Sequence, residues 1–266
     1  MSRLLAQVIS EVKERIQAAN SVSLFLDFDG TLVPIADHPM DPRLDPETAE
    51  TLKLIASQGF LTTTIISGRA VQDLYSRVGV DGLIYAGNHG LEIFGRDLRF
   101  VEPLAASRRE ELQMLCRELA AKVRRVAGAI VENKGLTASV HYRMVATADL
   151  PEIQAAVYEA VARNSALFRV NLGRKVFEIL PRTNWHKGAA VRWINSQLGE
   201  KPAFSIYLGD DTTDEDAFGV LPDAITIKVG AAPVTSVARY QLPDPAAVHE
   251  FLLWLAMQES LRLRKV

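Results

Sequence analysis

Three observations predict an α/β fold. Short apolar runs end in acidic or glycine-containing turns, helical patterns alternate with them, and a central stretch breaks that alternation. The arrangement expected is a Rossmann-like, doubly wound parallel-sheet core with an inserted α+β domain. The 266 residues suffice for a large core plus a smaller domain. Hydrophobic residues at 48% and charged residues at 23% exclude disordered, collagen-like and coiled-coil classes.

Along the chain, residues 2–19 read as an amphipathic helix, with Leu4, Leu5, Val8, Ile9, Val12 and Ile16 on one face. The run from Ser23 to Asp29 is apolar on both sides and then acidic, as expected of a strand buried on both faces of a parallel sheet. Residues 45–57 read as a helix with Asp45 as N-cap and Pro46 in its first turn. Phe60–Ile66 reads as a strand that runs into Ser67-Gly68-Arg69, followed by a helix to about Arg77. Leu83–Ala86 reads as a third strand, ending at Gly87-Asn88-His89-Gly90. From about residue 107 the pattern becomes helix (107–126), hairpin (130–134 and 137–143), helix (150–165), hairpin (168–172 and 175–180). Alternation then returns with helix 187–198, strand 204–208, an acidic loop 210–216, strand 224–229 and helix 245–263. The expected division is a core of 1–106 and 183–266, with 107–182 as the inserted domain.

The net charge of −2 gives no support for nucleic-acid binding. No apolar run reaches the roughly 18 residues of a spanning helix, so no membrane partner is expected. Glu11, Lys13, Glu14 and Arg15 stand where a secretory signal would be apolar. Cys116 is the single cysteine, and no Cys/His zinc spacing occurs. A cytoplasmic protein, monomeric or weakly homo-oligomeric, is the expectation. Residues 105–182 hold 13 Lys and Arg against 8 Asp and Glu, leaving 17 against 24 elsewhere. A basic insert and an acidic core suit an anionic ligand held with a metal; two solvated surfaces of opposite sign would read the same way.

Four stretches carry chemistry. Asp27-Phe28-Asp29-Gly30-Thr31 puts two carboxylates where a buried strand ends, the place where open α/β sheets bind ligands. Burying such a pair is costly unless a cation balances it, although exposed loop aspartates are common. Ser67 stands at the next strand end, as an anion holder or simply a helix N-cap. Lys187 begins a helix, where it opposes the macrodipole; a nearby anion or a snorkelling surface lysine accounts for that. Asp210-Asp211-Thr-Thr-Asp214-Glu215-Asp216 carries five acidic residues in seven after an apolar strand. Hard oxygen donors of this kind suit Mg²⁺, and an acidic helix start is the alternative.

In this order the four stretches resemble the haloacid dehalogenase superfamily of phosphatases. Further stretches resemble its trehalose-6-phosphate phosphatases: Gly87-Asn-His-Gly-Leu-Glu92, Glu132-Asn-Lys134-Gly135 with His141-Tyr-Arg143, Val176-Phe-Glu178-Ile-Leu-Pro-Arg182, and Gly209-Asp-Asp-Thr-Thr-Asp-Glu-Asp-Ala-Phe218. The resemblance runs from about residue 22 to 240. It implies a haloacid dehalogenase-type core whose insert is a cap that sets specificity. It also implies a Mg²⁺-dependent phosphatase of a small sugar phosphate, trehalose 6-phosphate, working through an aspartyl phosphate. Asp27 would be the nucleophile and Asp29 the general acid and base, with Ser67 and Lys187 holding the phosphoryl oxygens. Asp27, the Asp29 carbonyl and Asp210 would hold the metal, supported by Asp211 and Asp214. Phe28, Arg69, Asn88 and His89 from the core and Glu132, Lys134, His141, Arg143 and Glu178 from the cap would contact substrate. Lys134 and Arg143 also read as exposed hairpin charges, and His141 as a half-buried strand residue. Alternatives are another sugar phosphate (sucrose phosphate, glucosylglycerol phosphate, mannosylphosphoglycerate), a non-catalytic sugar-phosphate sensor, or a phosphomutase.

Overall fold

The structure, a computed structural model, describes residues 3–19, 21–38, 40–198, 204–231 and 236–258. Helix α1 (Arg3–Ala18) leads into β1 (Val22–Asp27), every residue of which is buried. The side chains of Leu4 and Leu5 lie outside the described residues; Val8, Val12 and Ile16 are buried. Helix α2 (Pro46–Ala56) starts as expected: Asp45 accepts from Thr48 N at 2.9 Å and Pro46 occupies the first turn, where no donor is wasted. Strand β2 (Leu61–Ile66), helix α3 (Val71–Val78) and β3 (Ile84–Gly87) follow.

Two further strands, β4 (Glu92–Gly95) and β5 (Leu98–Val101), stand where no strand was expected. Arg96 and Asp97 between them both have positive φ, 48° and 65°, the paired left-handed geometry of a tight hairpin. That turn usually announces itself by Asn-Gly, which is absent.

The next stretch has a four-stranded sheet. Helix α4 (Pro103–Ser107) is capped by the Glu102 carboxylate, which accepts from Ala105 N at 2.6 Å. Helix α5 (Arg109–Val123) follows, so the single helix expected over 107–126 starts earlier and breaks at Arg108. Strands β6 (Ile130–Asn133) and β7 (Ala138–His141) are followed by α6 (Leu150–Ala162), β8 (Phe168–Gly173) and β9 (Val176–Pro181). The strand order is β6-β7-β9-β8, all antiparallel. One face, with Val140, Phe177, Ile179 and Phe168, packs on α5 and α6. Cys116 lies in this core, and burial pushes its thiol up to about 11.

Then come α7 (Lys187–Gln197), β10 (Phe204–Gly209), α8 (Thr212–Gly219), β11 (Ile225–Val229), an unexpected short β12 (Tyr240–Leu242) and α9 (Pro245–Ala256). The acidic loop expected over 210–216 is corrected: from Thr212 it is helix. Asp211 caps it, and the Asp214 carboxylate accepts back from Asp211 N at 2.9 Å, a reciprocal capping box. The last helix ends at Ala256; the expected extension beyond 258 falls outside the described residues.

The large sheet has the order β12-β11-β10-β1-β2-β3-β4-β5, parallel from β12 through β3. Its core lies on both faces. Leu24, Leu26, Ile55 and Phe251 pack on one, and Phe25, Ile84, Val191 and Tyr207 on the other. Each such fully buried side chain contributes about 1.5–3 kcal/mol relative to exposure. The chain leaves β1 toward β2 and β3, then returns to β10 on the other side of β1. That reversal is a topological switch point, where strand carboxyl ends form a crevice. By Cα proximity the chain forms two compact units. One comprises 1–36, 41–100 and 185–266, the other 37–40 and 101–184. Among the described residues no helix is long and apolar enough to cross a membrane.

Candidate active site at the switch point

Register places the site. Leu26 pairs with Leu208 and Asp27 with Ile66, so Ser67, Asp27 and Asp210 follow one another across adjacent strand ends. Asp27, Asp210 and Asp214 each offer a carboxylate oxygen within 4.8 Å of the others, and all three are buried. Lys187 stands among them at the start of α7, 2% exposed. Its Nζ donates to Asp27 Oδ1 and to Asp214 Oδ1, both at 2.7 Å. The Tyr207 hydroxyl donates to the same Asp214 oxygen at 2.8 Å.

Electrostatics follow from this crowding. Burial, together with Asp214 and Asp210, drives the Asp27 carboxyl well above its ordinary range, although Lys187 pulls the other way. Burial alone would lower the Lys187 ammonium, but Asp214 and Asp27 outweigh it and hold the lysine well above its ordinary range. Three buried carboxylates against one buried ammonium leave an excess of negative charge, a donor set that fits a hard divalent cation.

Two glycines make room for this cluster. Gly30 has φ +87°, and a Cβ there would lie 2.2 Å from Asp210 Oδ2. At Gly209 it would lie 2.2 Å from Asp214 Cγ. Gly30→Ala therefore combines backbone strain with displacement of a carboxylate. The expected cost is on the order of 1–3 kcal/mol of folding stability, read by urea unfolding of the variant against the parent.

The other expected residues are placed as follows. Asp29 is half-buried, and both its oxygens are bound by Arg69, Nη2 to Oδ1 and Nε to Oδ2, each at 2.7 Å. Arg69 also lies 5.6 Å over the Phe28 ring. Ser67 is buried and its Oγ accepts from Arg69 N at 3.2 Å. Asn88 and His89 are buried with left-handed φ of 50° and 59°. Their amides bond Arg69 O at 2.6 Å and Ser67 O at 2.8 Å, which ties this turn to the one after β2. The Asp211 carboxylate is not brought into the cluster; it accepts from Thr212 N at 2.7 Å as a helix cap. The Asp29 carboxylate also lies outside it.

Within the second unit, cross-strand pairing puts Glu132, Ser139, Glu178 and Asn171 in one row on the sheet face opposite its apolar core. His141 is on the same face and its Nε2 meets Glu132 Oε2 at 2.8 Å. Lys134 is half-buried, and Arg143 donates to Arg174 O at 3.0 Å. Sequence reading assigned no role to four kinds of contributor. Tyr207 was hidden in an apolar strand. Glu92 accepts from Val71 N and Asn88 Nδ2, both at 2.7 Å, and so braces the Asn88–His89 turn. Ser139 and the Arg169–Asn171 pair, bonded at 2.6 Å, complete the polar face. Finding these needed the strand register, because spacing alone does not say which strands are neighbours.

The switch-point crevice, lined by a buried aspartate, a buried lysine and a further acidic pair, sits on a fold of the haloacid dehalogenase type: a haloacid dehalogenase-like hydrolase from Bacteroides thetaiotaomicron superposes with a TM-score of 0.62 at 15% identity, covering 88% of this chain and 99% of that one. A profile described as trehalose-phosphatase matches residues 25–246, and the chain belongs to that family. A probable trehalose-phosphate phosphatase of Oryza sativa is 35% identical over 88% of this chain and 68% of that protein. An uncharacterised glycosyl hydrolase of Mycobacterium tuberculosis is 37% identical over 96% of this chain, which spans 20% of that relative's length. The C-terminal domain of trehalose-6-phosphate phosphatase from Candida albicans superposes with a TM-score of 0.79 at 22% identity, covering 96% of this chain and 97% of that one.

Proposed function

We propose that the chain hydrolyses trehalose 6-phosphate to trehalose and inorganic phosphate through an aspartyl phosphate on Asp27. The observation that carries this reading is the Asp27–Lys187–Asp214 cluster with Asp210 at the switch point. Asp27 attacks phosphorus as the bond to the sugar oxygen breaks, and Asp29 gives its proton to the departing alkoxide. Asp29 then takes a proton from the water that attacks the acyl phosphate, which releases phosphate and restores Asp27. Before the first step Arg69 must yield its two-pronged hold on Asp29. Lys187 and Ser67 hold the phosphoryl oxygens, and the ammonium offsets repulsion between an anionic nucleophile and a dianionic phosphate. Asp27 and Asp210 would hold Mg²⁺, with Asp214 held beside them by Lys187 and Tyr207. When bound, the ion supplies charge neutralisation at the phosphate.

Residues 107–182 serve as the specificity domain in this reading. The row of Glu132, Ser139, Glu178 and Asn171, with His141, offers both acceptors and donors to a ligand rich in hydroxyl groups. Phosphate release across a panel of sugar phosphates tests the proposal. Trehalose 6-phosphate should be preferred over glucose 6-phosphate and sucrose phosphate by at least about tenfold in kcat/KM, and chelation should abolish release. Comparable turnover of all three, or turnover indifferent to chelator, would contradict it.

A further inference from the structure

The mechanism assigns no task to Asp73, in the first turn of α3, yet it closes a chain of charges that ends on the proton donor. Arg69 spends Nε and Nη2 on Asp29, and its third corner, Nη1, donates to Asp73 Oδ2 at 3.1 Å. The same Asp73 oxygen accepts from Arg77 Nε at 2.8 Å. Arg77 is buried, and its Nη1 donates to Pro42 O at 2.6 Å, which fixes the far end of the chain to backbone. Phe28 lies beneath the Arg69 guanidinium. A planar guanidinium held at one edge and at its opposite corner has one orientation, and the carboxylate on its fork inherits that orientation. Burial pushes the Asp73 carboxyl up, but the bonds from Arg77 and Arg69 outweigh it and hold the group below its ordinary range.

We infer that Asp73, anchored by Arg77, is a positioning residue: it seats Arg69, and by keeping that cation when the pair opens it frees the Asp29 carboxyl to turn to the leaving oxygen. The inference rests on the reading of Asp29 as proton donor given above. Two anions also share one guanidinium. Asp73 therefore offers Arg69 a second seat when Asp29 turns toward substrate, so that the cation need not be stranded as the pair opens.

A leaving-group comparison tests this. kcat/KM reports steps up to phosphoryl transfer, and a sugar alkoxide needs a proton at that step whereas p-nitrophenolate does not. In Asp73→Asn, kcat/KM for trehalose 6-phosphate should fall about tenfold while that for p-nitrophenyl phosphate stays within about twofold of wild type. Asp73→Glu keeps a carboxylate between the two arginines and should hold the ratio of the two substrates within about threefold of wild type. Equal losses on both substrates in both variants would mean a merely structural role and overturn the inference. So would an unchanged ratio in Asp73→Asn. Wild-type protein that releases phosphate from neither compound would instead sink the underlying reading, which keeps the two failures apart.

Discussion

Asp27→Asn is expected to lose turnover by about 10⁴-fold or more, the scale on which removal of a nucleophile acts, while the fold remains. The amide keeps the shape of the carboxylate but does not displace an alkoxide from phosphorus. Stability should not suffer. Burial and two neighbouring carboxylates hold the Asp27 carboxyl above its ordinary range, so the folded chain binds that proton more tightly than the unfolded chain does. For an acid with that sign of shift, folding stability falls as pH rises above the unfolded-state value. Asparagine removes the burden at neutral pH. A thermal midpoint at pH 7 in chelator should therefore equal or exceed that of the parent. A clear drop in midpoint would show that the Asp27–Lys187 pair stabilises more than the crowding costs. Retained turnover would remove Asp27 as nucleophile.

Lys187→Met should damage both properties. The ammonium is the cation between Asp27 and Asp214, and methionine leaves those carboxylates and Asp210 buried without it. Removing one partner of a buried charge pair costs about 3–5 kcal/mol. Activity should fall on the order of 10³-fold, since the group proposed to face the phosphoryl oxygens is lost as well. Urea unfolding reads the first effect and phosphate release the second. The sign with pH distinguishes this lysine from an ordinary surface one. Its folded proton affinity is raised, so its contribution is fully present below the unfolded lysine range and is lost only as pH rises through the higher folded value. The stability gap between parent and variant should therefore persist across neutral pH. An exposed lysine would give almost no gap.

Much of this site could be read from the chain because its main parts follow strands buried on every side. A run such as Val22–Asp27 has no polar face, so the acidic residue at its end stands out, and the same holds for Asp210 after Phe204–Gly209. Lys187 was noticeable because it opposes a helix dipole, and its partners explain why it is tolerated. Less visible were features that depend on which strands lie side by side. Strands β5 and β12 at the sheet edges, and β4 beside β5, are short and partly exposed, and the Arg96–Asp97 turn lacks glycine or asparagine. Asp211 and Asp214 look equivalent in the acidic run. Helix geometry separates them, turning one into a cap and burying the other against Lys187 and Tyr207. The Asp29–Arg69 pair joins residues 40 positions apart, and no local pattern reports it.

The most direct measurement is an acid-quenched single turnover of trehalose 6-phosphate, followed by peptide mapping by mass spectrometry. The expected product is a transient phosphoryl group on Asp27 in the peptide spanning β1, absent from Asp27→Asn and formed no more slowly than trehalose is released. Complete hydrolysis with no covalent phosphate on Asp27 at any time, accompanied by inversion of configuration at phosphorus, would contradict the account.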